Sequence, residues 1–186
     1  GYERTSGTLA WLGYSHRIND KLFAGLQINQ ASGIDDQRSL PYWYNRAENA
    51  TSVAAALGYG YELFADGDKR ARLTLVQSHT PATVAGRNSN AHGVFLEAGT
   101  HLAGYRHEVG AYTTQPNLRF GDNLIASDNR GVYWRVDRSI SRLSWGGGLD
   151  YEQYNPSREP GRYSSRQTGV HGNAQYRIDR HSSLGI

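Results

Sequence analysis

The stretch TSVAAALGYGYELFADGDKRARLTLVQ, residues 51–77, decides how the rest of the chain is interpreted. Over 53–63 the odd positions carry apolar or aromatic residues, and the even positions carry small or polar ones. A polar tetrapeptide at 66–69 interrupts the pattern, which resumes over 70–77. Because successive side chains of a strand point to opposite faces, this stretch predicts a β-hairpin with one apolar face and one small, polar face.

The same alternation recurs along the chain, and no helical period of 3.6 residues is visible over a useful length. Further strands are predicted over 8–18, 21–30, 92–102, 105–114, 131–139, from 143 onward, over 166–178 and from 182. Short turns alternate with long connections, the long ones falling at 32–50, 79–91, 115–129 and 155–163. The sequence therefore predicts an all-β, antiparallel, up-and-down barrel in one domain, residues 1–186, with about ten strands and an unfinished circumference.

Composition excludes several classes of function. The 186 residues contain no cysteine, so disulfides and thiolate metal sites are excluded, and the seven histidines show no compact metal-ligand spacing. Net charge is only +3 and is dispersed along the chain, whereas nucleic-acid binding usually shows a clustered basic stripe. The adjacent Ser-His pairs at 15–16, 78–79 and 181–182 would point to opposite faces of a strand, so we expect no enzyme and no cofactor.

The apolar strand faces are interpreted as facing lipid or as facing a protein core. A soluble sandwich or propeller is the alternative, but its strands usually run to about five or six residues. The strands predicted here approach the length that a tilted strand needs to cross a membrane. Tyrosines also recur at strand ends on the apolar face, as expected for rings at a membrane interface. They are Tyr59, Tyr61, Tyr105 and Tyr176 near short turns, and Tyr14 and Tyr151 toward the long connections.

In this pattern the whole chain resembles the Gram-negative outer-membrane β-barrels, a class and not one family. The resemblance implies short turns on the periplasmic side, long loops outside, and the lipid bilayer and lipopolysaccharide as partners. It leaves open an export or translocation barrel of a polysaccharide or protein secretion system, a passive porin for small solutes, and a structural or adhesion barrel whose loops bind a partner. We favour the exporter, in the bacterial outer membrane.

If the apolar face meets lipid, the polar face lines a lumen. The predicted pore-lining residues are Glu62, Arg72, Glu97, Arg106, Glu108, Arg135, Asp137, Asp150, Glu152 and Arg177, with His101 beside them. Since unpaired buried charges are costly, we expect pairs across the strands, Glu62 with Arg72 and Arg135 with Asp150. These charges form either a structural ladder or a filter that selects solutes.

The long connections are the second candidate surface. The cluster Tyr42, Trp43 and Tyr44 is expected to stack on a sugar or a partner, or to pack on neighbouring loops. Five arginines in or near these connections are expected to draw in anionic solutes or lipopolysaccharide. They are Arg38, Arg46, Arg87, Arg119 and Arg130.

Overall fold

The computed structural model describes residues 8–35, 47–60, 68–80, 90–120, 123–124, 128–158, 163–179 and 182–186. The strands are β1 (Thr8–Arg17), β2 (Leu22–Asp35), β3 (Ala47–Tyr59), β4 (Lys69–His79), β5 (Asn90–Leu102), β6 (Tyr105–Thr114), β7 (Arg119–Phe120), β8 (Asn123–Leu124), β9 (Asn129–Ile140), β10 (Leu143–Tyr154), β11 (Ser165–Arg177) and β12 (Ser183–Gly185). Among these residues no helix is long and apolar enough to cross a membrane.

Ten of the strands form one antiparallel sheet in the order β1-β2-β3-β4-β5-β6-β9-β10-β11-β12. Every neighbouring pair in that order is consecutive or is separated only by the small β7–β8 hairpin, so the up-and-down topology is confirmed. The sheet is not closed, since β1 and β12 lie at opposite edges of it. The predicted all-β antiparallel architecture is therefore confirmed, whereas the described strands do not complete a barrel.

The short turns follow from local residue chemistry. The Asn19 side chain accepts hydrogen bonds from the backbone N–H groups of Lys21 and Leu22, each at 2.9 Å, and so closes the β1–β2 turn. Between β5 and β6, Ala103 and Gly104 both have positive φ, at 53° and 75°. Two such residues form the tight turn whose twist matches that of an antiparallel hairpin.

Large apolar side chains of the sheet are exposed, whereas small polar ones are buried, which reverses the usual arrangement. The outer face carries large apolar side chains that remain about half exposed, including Leu57 at 47% and Leu96 at 49%. The inner face carries small and polar residues, of which Ser52 and Ser78 are only 1% and 2% exposed. The apolar and polar faces predicted from the alternation are therefore confirmed, and most of the buried side chains lie on the polar face.

Strand bounds differ from the predictions mainly beside the connections. β3 begins at Ala47 and ends at Tyr59, so the predicted extension to residue 63 and the turn at 66–67 lie outside the described residues. The connection predicted over 115–129 contains the β7–β8 hairpin. Tyr14 lies three residues before the end of β1 at a short turn, so its predicted place toward the long connections is wrong.

Candidate functional site on the inner face of the sheet

Glycines on the inner face let side chains from non-adjacent strands meet. Gly99 of β5 lies opposite Arg70 of β4 on one side and Glu108 of β6 on the other. With no Cβ in the way, Arg70 Nη2 reaches Glu108 Oε2 across β5 at 2.7 Å. A Cβ on Gly99 would lie 2.8 Å from Arg70 Nε. The contact thus depends on the glycine of the intervening strand.

Glu108 is the centre of a charged cluster near the β5–β6 turn. Besides Arg70, it is approached by Arg106 Nη2 at 3.5 Å and by Arg135 Nη1 at 4.0 Å. The Tyr133 hydroxyl donates a weak hydrogen bond to it at 3.5 Å, and the Arg135 guanidinium lies 4.7 Å from the Tyr133 ring centroid. Three guanidiniums therefore surround one carboxylate, and Asp137 lies opposite Arg106 beside them.

The structure brings together some predicted pore-lining residues and separates others. Arg106, Glu108 and Arg135 were predicted and meet in this cluster, but sequence reasoning missed Arg70 and Tyr133. The alternation could have identified Arg70, since Arg70 and Arg72 are two residues apart on β4 and therefore point to the same face. The position of Tyr133 beside Glu108 could be found only from the register of β9 against β6, which no local pattern specifies.

Of the two predicted cross-strand pairs, that of Arg135 with Asp150 is wrong, and that of Arg72 with Glu62 includes a residue outside the described ones. Arg72 lies opposite Gly58 on β3 and opposite Glu97 on β5. Arg135 lies opposite Gly148, so the nearest carboxylate that it contacts is Glu108.

Four further predicted residues also lie on the inner face. Asp150 approaches His171, with Oδ1 and Nδ1 3.9 Å apart. Asp137 lies opposite Arg106, and Arg177 lies at the end of β11 opposite Ser183. His101 also lies opposite Arg106, on the β5 side.

Glu152 organises a second, hydrogen-bonded cluster near the other end of the strands. It accepts hydrogen bonds from the hydroxyls of Tyr112 and Tyr154 and from the side-chain amide of Asn129. Tyr112 reaches it across Gly131 of β9, where a Cβ would lie 2.8 Å from the tyrosine ring. Three donors on one carboxylate satisfy its hydrogen-bonding capacity and hold it in place.

The connection after β6 folds onto the inner face instead of extending away from it. Leu118 is fully buried with Val76 and Ala91, and Phe120 packs against this cluster. The backbone N–H of Arg119 donates a hydrogen bond to Ser78 Oγ at 3.1 Å. Arg119 is only 3% exposed, so its predicted role at an external loop is wrong. Connections between strands usually run over the protein surface, whereas this one is buried against the sheet.

Beside this connection the inner face of β1 to β5 forms a groove, the aromatic groove, with a cavity volume of about 670 Å³. Its floor is made of small residues and its walls of rings. The floor residues are Gly25, Ala54, Ala56 and Thr74, and the rings are Trp11, Phe23, Phe95 and Phe120. The sequence showed the small inward residues, but it did not show that these rings surround them.

The remaining predicted residues either lie outside the described residues or take no part in these clusters. Tyr42, Trp43 and Tyr44 lie outside the described residues, as do Arg38, Arg46 and Arg87. Arg130 is exposed and binds the side-chain oxygen of Gln153 at 2.7 Å and 3.0 Å. In the part of the chain that the structure describes, no group of three or more His, Asp or Glu residues is arranged to hold a metal ion.

Comparison of the chain with protein-family models, with curated proteins and with solved structures finds no match.

The inner face combines a cluster of charged residues, a fixed carboxylate and a groove lined by rings, on the side of the sheet opposite the exposed apolar residues. Such a surface can hold water and polar solutes.

Proposed function

We propose that this sheet is part of the wall of a transmembrane β-barrel in the bacterial outer membrane, with the outer face against lipid and the inner face lining a lumen. One observation carries the proposal, namely that most large aliphatic side chains are exposed on the outer face, whereas the charged cluster around Glu108 lies on the inner face. A soluble sheet buries its apolar side chains against a second layer. Contact with lipid removes the cost of leaving them in water.

The membrane imposes one requirement on the two sheet edges. Unpaired backbone groups in hydrocarbon cost several kcal/mol each, so open edges do not occur there. The proposal therefore requires the free edges of β1 and β12 to be paired in the membrane. Pairing by further strands would produce a closed barrel of more than ten strands, wide enough for a lumen.

The inner face supports transport of a polar cargo. We propose the export or translocation barrel of a polysaccharide or protein secretion system, with a passive porin for small solutes as the alternative. The inward connection around Leu118 favours a third arrangement, a structural barrel with a blocked lumen. Conductance across planar bilayers separates a channel from a blocked barrel.

Tryptophan fluorescence tests the orientation of the sheet. Trp134 lies on the outer face and is 39% exposed, whereas Trp11 lies on the inner face and is 68% exposed. Single-tryptophan variants of the full-length protein, retaining only one of these two, are placed in vesicles of lipids brominated along the acyl chains. We expect the lipid to quench Trp134, and aqueous acrylamide to quench Trp11, because only the outer side chain touches hydrocarbon.

The two positions are matched controls for each other, since both are exposed tryptophans on strands. Quenching of Trp11 by lipid and of Trp134 by acrylamide would reverse the assignment of the faces. A protein that remains in the aqueous phase, with neither residue quenched by lipid, would overturn the membrane proposal.

A further inference from the structure

The aromatic groove has the dimensions of a ligand site. Its volume of about 670 Å³ is in the range of small-molecule pockets, which are typically lined by apolar and aromatic residues with a few polar groups. It runs from the level of Phe23, which lies opposite Gly58 and Arg17, to the Trp11 ring, which lies 3.6 Å from the position of a Cβ on Gly13. Gly13 and Arg17 are four residues apart along β1, about 13 Å at the rise of a strand.

Rings are the largest side chains that line the groove, and the aliphatic Leu26 and Val76 lie among them. Phe95 also stacks on Tyr112 of the next strand, with ring centroids 6.3 Å apart and an angle of 18° between the planes, which holds its ring in place. The small floor residues leave the ring faces accessible to a ligand that lies along the strands. A flat ligand with apolar faces suits this geometry, because aromatic faces attract polarised C–H groups.

Polar groups line the same groove between and beside the rings. Gln27 and Thr74 lie on its floor strands, and Arg72 and Glu97 lie at the end near Phe23. The Gln27 amide donates a hydrogen bond to Asn29 Oδ1 at 2.8 Å, which sets its orientation and reserves its carbonyl oxygen as an acceptor. A ligand with hydroxyl groups around its rim would find both donors and acceptors here.

These features together exclude two other occupants. A fatty acyl chain offers no hydrogen-bond partner for the Gln27 carbonyl oxygen or the Thr74 hydroxyl. A single-stranded nucleic acid stacks on rings but needs a basic track for its phosphates, and Arg72 is the only cation among the lining residues that the structure describes, with a carboxylate beside it.

We propose that the aromatic groove binds a neutral oligosaccharide, whose pyranose rings lie with their C–H faces on Trp11, Phe95 and Phe120 and whose hydroxyls bond to Gln27 and Thr74. The inference rests on the proposed channel and names its cargo as a saccharide chain. The groove is longer than a single sugar ring, so affinity rises with the number of sugar units until the groove is filled.

The test uses the full-length protein in a zwitterionic detergent without a sugar headgroup. Calorimetric titration with cellohexaose and maltohexaose, and with the corresponding disaccharides, is expected to show binding that strengthens with chain length. Phe95→Leu keeps the apolar volume and removes the ring, so it should weaken binding about 3- to 10-fold, the loss expected for one aromatic contact. Phe95→Tyr keeps the ring and should bind as the natural protein does.

Trp134→Leu, on the outer face, is the control for the loss of a ring elsewhere and should leave binding unchanged. If Phe95→Leu does not fold, Gln27→Leu provides a second variant, expected to weaken oligosaccharide binding by removing a polar partner. The saccharide proposal is wrong if neither hexasaccharide binds, or if the Phe95→Leu variant binds the hexasaccharides as tightly as the natural protein does. It is also wrong if lauric acid competes with the hexasaccharides and still binds the Phe95→Leu variant.

Conductance of the same preparation separates the two proposals. A conducting protein that binds neither hexasaccharide would overturn the cargo assignment and leave the channel intact. A silent protein that binds hexasaccharides in a Phe95-dependent way would support the groove and count against the channel.

Discussion

At the scale of single residues, the inner face depends on glycines that lie under larger side chains. Gly110 lies directly opposite Tyr133, and a Cβ there would overlap the tyrosine ring. Gly25 is also on the inner face, but a Cβ there would lie 3.8 Å from its nearest neighbour, the Tyr14 carbonyl oxygen. The same substitution therefore meets very different surroundings at the two positions.

We expect Gly110→Ala to lower the free energy of unfolding by about 1–3 kcal/mol, the usual cost of overpacking, because Tyr133 must leave its place. Gly25→Ala should be neutral or slightly stabilising, since Ala loses less backbone entropy than Gly. Urea unfolding of the detergent-solubilised protein measures both. Adding Tyr133→Ala should remove most of the Gly110→Ala cost, and additive effects of the two changes would contradict this account.

The Glu108 cluster allows a second prediction at this scale. Arg70 and Glu108 have side chains only 17% and 22% exposed and are 2.7 Å apart, whereas Arg135 is 60% exposed and 4.0 Å away. Replacing Glu108 by Gln removes the charge that three guanidiniums share. We expect a loss of about 1–3 kcal/mol in the free energy of unfolding, as for a charged hydrogen bond.

Arg135→Gln is the matched control and should cost less than about 1 kcal/mol, as exposed ion pairs do. In planar bilayers, Glu108→Gln should also shift the reversal potential in the direction that indicates greater selectivity for anions. Equal unfolding costs for the two variants would show that the close contact with Arg70 carries no special weight.

At the scale of elements, the connection after β6 is the part that departs most from a simple barrel wall. Its attachment includes the buried Leu118 side chain, the hydrogen bond to Ser78 and the backbone hydrogen bond from Gln115 to His92. Short strands such as β7 have few backbone bonds of their own, so this attachment comes from packing on β4 and β5.

We expect Leu118→Ala to release the connection from the sheet while leaving the ten strands paired. Removing a buried leucine costs about 2–5 kcal/mol, more than a two-stranded hairpin is expected to withstand locally. Hydrogen exchange should show loss of protection at the Arg119 amide. Leu96→Ala, on the exposed outer face, is the control. Unchanged protection at Arg119 would mean that Leu118 does not hold the connection.

At the scale of the whole molecule, the main property is that large apolar side chains are exposed on one face of the sheet while the charged cluster lies on the other. Residues such as Leu57 and Leu96 form a continuous exposed apolar surface, and the charges of Arg70 and Glu108 lie behind it. Exposed apolar surfaces of this extent mark interaction sites. Because it covers strands across the entire sheet, this surface supports the proposal that lipid contacts it.

The sequence by itself determined the strands, the alternating connections and the chemistry of each face. A strand has a period of two residues, so Leu57 and Gly58 are assigned to opposite faces without knowledge of any neighbour. The identity of most pore-lining candidates follows from the same local rule.

Only the tertiary structure decided which inward groups meet. Arg72 lies opposite Glu97 because of the register between β4 and β5, and Arg70 reaches Glu108 because a glycine lies between them. The aromatic groove likewise needs the inward fold of the connection that carries Phe120. Register and loop direction are set by contacts between distant segments, and a local period of two contains no information about them.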